Sequence, residues 1–146
     1  MSKKLYEKMN IYLANQEVAY LKLHNLHWYV KGRSFFTLHA KLEELYDQTA
    51  EIIDAVAERL LALGQAPVAN MKDALALATI REVAAKPISS EETVQGLIAD
   101  VEYWIKDTKE IVELADAAGD GVTADQFNDY LGEYQKVLWM LKSYMS

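Results

Sequence analysis

The chain has 146 residues, 51% hydrophobic and 25% charged, with a formal net charge of −7; this is a globular composition, long enough for one domain over residues 1–146 with its own core. It contains no cysteine, which excludes disulfides, zinc–thiolate sites and thiol catalysis. The acidic balance argues against a generally basic nucleic-acid surface, and the absence of an apolar leader or membrane-spanning run leads us to expect a cytoplasmic protein with no membrane partner.

The first periodic segment runs from about Lys3 to Lys31. Leu5, Met9, Tyr12, Ala19, Leu23, His27 and Val30 form one helical stripe along it. Gly32 ends the segment, and Ser34 and Thr37 both offer N-caps for a second helix that stops at Gly64. The second stripe is Leu42, Leu45, Tyr46, Ile52, Ile53, Val56, Leu60 and Leu61. Residues 65–89 hold Pro67 and Pro87, with a short helix expected between Met71 and Ala78. Ser89 with Glu92 forms a capping-box pattern that opens a third long helix, carrying Val94, Leu97, Ile98, Val101, Ile105, Thr108, Val112 and Ala115. Gly119-Asp120-Gly121 closes it. Thr123 with Gln126 reads as a second capping box before a fourth helix bearing Phe127, Tyr130, Leu131, Tyr134, Leu138, Leu141 and Met145.

No strand pattern competes with these helices. The fold class expected is therefore all-α, a four-helix bundle. Two tight connections make antiparallel pairs, and the long stretch between the second and third long helices can run the length of a bundle. One such crossover, here carrying a short extra helix, is the ferritin-like topology.

Chemistry concentrates between residues 24 and 58. All three histidines lie there (His24, His27, His39), followed by Glu43, Glu44, Asp47, Glu51, Asp54 and Glu58. At about 100° per residue these six carboxylates occupy one arc of roughly 100° on the second helix, opposite its apolar stripe. Lys41 and Arg59 lie only at its edge. Such an arc is either an acidic solvent face or a cation-binding one, since like charges one turn apart repel. Imidazole and carboxylate together are the ligand set of a non-haem iron or similar divalent site.

No Glu-x-x-His occurs, so a di-metal site built from such pairs inside one bundle is not supported. His39 and Glu43 are one turn apart and can share a metal, as can Asp54 and Glu58. His39 and Asp54, however, are about 22 Å apart along the helix axis, whereas metal–donor bonds are about 2 Å. One centre using both pairs must draw them from two chains, and an antiparallel two-fold contact supplies this twice per dimer. His27, just across the short loop from His39, can join the same end. Taken singly, His27 also suits a hydrogen-bonded core position and His39 a surface one; His24 is expected to be supporting or structural.

The run HNLHWYVKG at 24–32, FFTLH at 35–39, EELY at 43–46, Asp54 and ERLLALG at 58–64 resembles the Dps family of mini-ferritins, in particular its iron-sequestering branch of neutrophil-activating and peroxide-resistance proteins. The likeness continues through GDGVTADQF and the closing VLWMLKSYM. It implies a hollow homododecamer with 23 symmetry and ferroxidase centres at two-fold interfaces. The implied ligands are His27 and His39 from one chain and Asp54 and Glu58 from its neighbour, with Glu43 at a further acidic position and Trp28 as a nearby redox-active aromatic. Glu44, Asp47 and Glu51 would face the cavity and nucleate ferric mineral. Asp116, Asp120 and Asp125 would line three-fold pores, although Asp120 is also a good turn residue.

The implied function is iron storage and detoxification, protecting against oxidative stress. Fe(II) is the substrate, oxidised to Fe(III) by hydrogen peroxide or oxygen, with no organic cofactor. A second reading, DNA compaction, has only Lys3, Lys4 and Lys8 near the start to draw on, with Glu7 among them, and is disfavoured.

Overall fold

Local signals set the element boundaries. The computed structural model describes residues 2–146, which form α1 (Ser2–Tyr29), β1 (Val30–Lys31), α2 (Phe35–Ala62), α3 (Met71–Leu77), β2 (Ile88–Ser89), α4 (Ser90–Ala117) and α5 (Gly121–Met145). Both α2 and α4 end in Schellman turns. Gly64 (φ 77°) closes the first, with Gln65 N–H donating to the Leu60 carbonyl and Gly64 N–H to Leu61. Gly119 (φ 73°) closes the second, with Asp120 N–H donating to Ala115 and Gly119 N–H to Asp116. Ser89 opens α4 as expected, its hydroxyl accepting from Glu92 N–H at 3.1 Å. Asn70 opens α3, accepting from Asp73 N–H at 2.9 Å.

Two expectations at helix starts need correction. Thr37 lies inside α2, and Ser34 occupies the N-cap position without a side-chain cap bond. The Thr123/Gln126 box does not form. Helix α5 begins earlier because Asp120 is its cap: the carboxylate accepts the Thr123 N–H at 3.1 Å and the Thr123 hydroxyl at 2.6 Å. The Gln126 amide donates to the Tyr130 hydroxyl instead, at 2.8 Å. Asp120→Ala should therefore cost about 1 kcal/mol in urea unfolding, while Asp120→Asn keeps most of the stability.

The described residues fall into two compact units, residues 9–93 and residues 2–8 with 94–146. In the first, Tyr12, Leu13, Leu42, Val56 and Leu60 are essentially fully buried. A short parallel pairing, absent from the helical expectation, sets Val30 beside Ile88 and Lys31 beside Ser89. The crossover thus returns to the end of this unit at which α2 begins, so that α4 starts there too. Three asparagines of α1 tie it down on the way. Asn10 donates to the Ala66 carbonyl and accepts from Val68 N–H. Asn15 accepts from Thr79 N–H at 2.7 Å and Ile80 N–H at 3.1 Å and donates to the Thr79 hydroxyl. Asn25 donates to the Val83 carbonyl. Asn15 is fully buried. Replacing it with leucine strands these N–H groups, and Asn15→Leu should lower unfolding free energy by about 2 kcal/mol.

In the second unit the core is Leu5, Val94, Ile111, Ala115 and Phe127, with Trp104 stacked on Tyr134 at 5.9 Å between ring centroids. The buried stripe of α4 runs through Trp104 and Ile111, while Ile105 and Val112, expected in the core, are only half-buried. Alternating steps of three and four from Val94 lead to Trp104 and Ile111, one residue short of each. Leu61 of α2 is the clearest departure: expected in the core, it is 60% exposed. At 100° per residue it lies at about the same angle as Glu43, on the acidic face.

Candidate metal centre

The turn between α1 and α2 brings two histidines together. Gly32 has φ 115°, and a Cβ there would lie 3.2 Å from the Ser90 Oγ. That hydroxyl is held in place, donating to the Lys31 carbonyl at 2.9 Å. Both the backbone angle and the space thus call for glycine. The Gly32 carbonyl then accepts from Phe35 N–H and α2 begins.

His27 and His39 stack face to face across this turn, ring centroids 3.6 Å apart and planes 14° from parallel. Each ring bonds the other residue's backbone: His27 Nδ1 to the His39 carbonyl at 2.7 Å, and His39 Nδ1 to the His27 carbonyl at 2.8 Å. A carbonyl only accepts, so both Nδ1 atoms carry the proton. That tautomer leaves each Nε2 with a free lone pair, as in metal-ligating histidines oriented by a backbone carbonyl. His27 is buried and His39 half-buried. The His27 carbonyl, in the last turn of α1, has no continuing helix to bond, so the His39 ring also serves as a helix-end partner.

Aromatic rings enclose the pair. Phe35 stacks on His39 at 5.0 Å, and Tyr46 meets His27 edge-on at 5.3 Å. His24 stacks on Tyr46 at 3.9 Å and donates from Nδ1 to the Tyr20 carbonyl. Trp28 lies beside His24 at 5.3 Å and is 61% exposed. Burial, then the charges of Glu43, Asp47 and Tyr20, hold the Tyr46 phenol above its ordinary range, so it stays protonated. Sequence places Tyr46 on the apolar stripe of α2 and gives Phe35, Tyr46 and Tyr20 no part in the site. Helical spacing was the available signal: Phe35 precedes His39 by four residues, Tyr46 follows it by seven, and Tyr20 precedes His24 by four.

Asp54 and Glu58 stand apart from the histidines. Glu43, Glu44, Asp47, Glu51, Asp54 and Glu58 are all exposed along α2. Glu44 pairs with Lys41 at 3.2 Å, a surface pair of small energetic weight. Helix α2 is unbroken from Phe35 to Ala62, so the distance of about 22 Å between His39 and Asp54 stands. Among the described residues, no three histidines or acids converge on one point. The chain therefore brings together His27 and His39 and does not bring Asp54 and Glu58 to them. Asp116 and Asp125 are exposed, whereas the Asp120 carboxylate is occupied as a helix cap.

A ferritin-like domain model matches residues 6–146. General stress protein 20U of Bacillus subtilis is 45% identical over 145 residues, 99% of this chain and 99% of that protein. The crystal structure of Dps from Staphylococcus aureus matches with a TM-score of 0.94 at 41% identity, covering 99% of this chain and 96% of that one. The chain belongs to the Dps family of ferritin-like proteins. Its four long helices, with α3 in the crossover, are the all-α ferritin-like bundle. A Dps protein from Vibrio cholerae, described as a member of a broad superfamily of ferritin-like diiron-carboxylate proteins, matches at 35% identity and a TM-score of 0.93, covering 99% of this chain and 91% of that one. Dps proteins sequester iron against oxidative stress and typically assemble as dodecamers. No helix among the described residues is long and apolar enough to cross a membrane.

Proposed function

We propose that this Dps-family chain is a ferroxidase that stores iron, with its catalytic centre divided between two copies. The observation that carries the reading is the reciprocal His27–His39 hydrogen bonding, which prepares two Nε2 donors at one end of α2. Asp54 and Glu58 of a two-fold partner complete the centre, and Glu43 adds a carboxylate on the histidine side. Fe(II) is the substrate. Neutral imidazoles accept it readily, and hard carboxylate oxygens favour Fe(III), which promotes electron loss to a bound oxidant. Hydrogen peroxide is the proposed oxidant: two Fe(II) give up one electron each, and peroxide with two protons becomes two waters. Trp28, the residue after His27 and 5.3 Å from the His24 ring, is assigned the part of a nearby redox-active aromatic. Fe(III) then passes to carboxylates such as Asp47 and Glu51 and hydrolyses to mineral in the cavity of a dodecamer, with Glu44 adding charge beyond its pair with Lys41. Entry is through three-fold pores near Asp116, Asp120 and Asp125, where Asp120 has the additional duty of capping α5.

Anaerobic Fe(II) titration followed by a peroxide pulse tests this. Changing groups that only orient metal ligands costs about 10–100-fold, so His27→Ala/Asp54→Ala should slow oxidation by at least about tenfold. A variant oxidising iron at the wild-type rate would place the centre elsewhere.

A further inference from the structure

The exposed face of α2 carries more than acids. Phe36 is 84% exposed and Leu61 60% exposed, and they stand near the two ends of the helix. With Glu43 at zero, Phe36 falls at about 20° and Leu61 at about 0°, the same angles as Asp54 and Glu43. Two large apolar groups therefore bracket the carboxylate face along the edge marked by Glu43 and Asp54. Contact with water is unfavourable for both, and neither is covered within the chain.

The inter-chain centre proposed above, on which this inference rests, prescribes a register. His39 meets the partner's Glu58, and Glu43 meets the partner's Asp54. Phe36 lies three residues before His39, and Leu61 three residues after Glu58. In an antiparallel contact those steps run the same way, so Phe36 arrives opposite the partner's Leu61. Ala40 arrives opposite the partner's Ala57, and Ala50 lies close to the two-fold axis. The two-fold axis falls between positions 48 and 49, and each Phe36/Leu61 pair lies about 19 Å from it along the helix, near the ends of the contact. Shifting the register by one turn would set Phe36 against the partner's Ala57 or beyond the end of α2 and separate the half-sites.

We infer that Phe36 and Leu61 of two copies form paired apolar clasps, one at each end of an antiparallel α2–α2 contact. The clasps set the register that closes the metal centre. The occupant of this face is a second copy because the two-fold operation maps Phe36 onto Leu61 and each half-site onto its complement in a single step.

The chain has no cysteine of its own, so introduced thiols report alone. Chains carrying Phe36→Cys, co-assembled with chains carrying Leu61→Cys, should give a covalent dimer with a short bis-maleimide, visible on a denaturing gel. Either chain alone should not, because like positions lie about 37 Å apart across the contact. Ala50→Cys alone should cross-link to its own copy near the two-fold axis. Adducts in both experiments support the clasp. An Ala50→Cys adduct without the mixed Phe36/Leu61 adduct overturns the clasp and leaves the inter-chain centre standing; no adduct in either removes both. As a second measurement, Phe36→Asp should shift the full chain to smaller species on size exclusion, whereas Phe36→Leu/Leu61→Phe should assemble like wild type. Normal assembly of Phe36→Asp would also overturn the clasp.

Discussion

Assemblies made from equal amounts of two inactive variants should oxidise iron at about one quarter of the wild-type rate. One variant carries His27→Ala and His39→Ala, the other Asp54→Ala and Glu58→Ala. Random pairing makes half of the two-fold contacts mixed, and each contact contains two centres. In a mixed contact one centre joins intact histidines to intact acids, and the other joins the two damaged halves. Half of the contacts with half of their centres intact leaves about one quarter. A centre closed within one chain would regain nothing, because every chain is damaged. The measurement is the initial rate after a peroxide pulse on Fe(II)-loaded protein, with each variant alone as the baseline. The prediction rests on the continuity of α2, which keeps His39 and Asp54 about 22 Å apart whatever the side chains do.

Lys8→Met should cost about 3 kcal/mol in urea unfolding at neutral pH and fixed chain concentration. Lys8 bonds Asp107 at 2.6 Å and Glu110 at 2.9 Å. Asp107 is 3% exposed, and its Oδ2 has no hydrogen-bond partner among the described residues, so Lys8 is its main compensation. Removing one member of a buried pair leaves an uncompensated charge, which costs about 3–5 kcal/mol; the lower end applies because Lys8 keeps some solvent contact. Lys8→Met/Asp107→Leu should recover most of the loss, since apolar replacement of both partners is often neutral or better.

The alkaline limb provides a second readout. Burial lowers the Lys8 pKa, but the bonds to Asp107 and Glu110 and their charges raise it more, from 10.5 to about 12. With the folded value above the unfolded one, the ammonium stabilises the fold fully below pH 10.5, and that contribution is lost as pH climbs through about 12. Wild type should lose urea midpoint across this window more steeply than Lys8→Met. Asp107 has its own window in acid. Burial holds its carboxyl above the ordinary 3.8 despite Lys8, so its contribution is largest below that pH and falls as pH rises through the folded value. The pairing also bears on nucleic acid. Lys3, Lys4 and Lys8 all belong to α1, and Lys8 is engaged with two carboxylates; direct DNA binding is not proposed.

Helix positions were largely legible in the sequence because capping and stopping are local. Gly64 and Gly119 end helices through their own backbone angles, and Ser89 starts one with its own hydroxyl. Reading failed where two local signals competed. Asp120 took the cap that Thr123 and Gln126 offered, because a carboxylate three residues before Thr123 can bind both its amide and its hydroxyl. The brief β1–β2 pairing left no sequence signal, since two residues show no alternation and their partner lies 58 positions away.

The candidate ligands were legible by residue type and spacing, and their separation into two half-sites followed from the helical rise alone. Sequence by itself also determined the acidic arc of α2, because the angle between residues on a helix depends only on their numbers. The tertiary structure decided what surrounds the histidines. It stacked His27 on His39, protonated both rings at Nδ1 and set Phe35 and Tyr46 against them. These depend on how α1 and α2 meet across Gly32, a relation between segments that no single helix contains. Leu61, read as core because it follows Leu60, shares its helical angle with Glu43, so its outward face was already contained in its number.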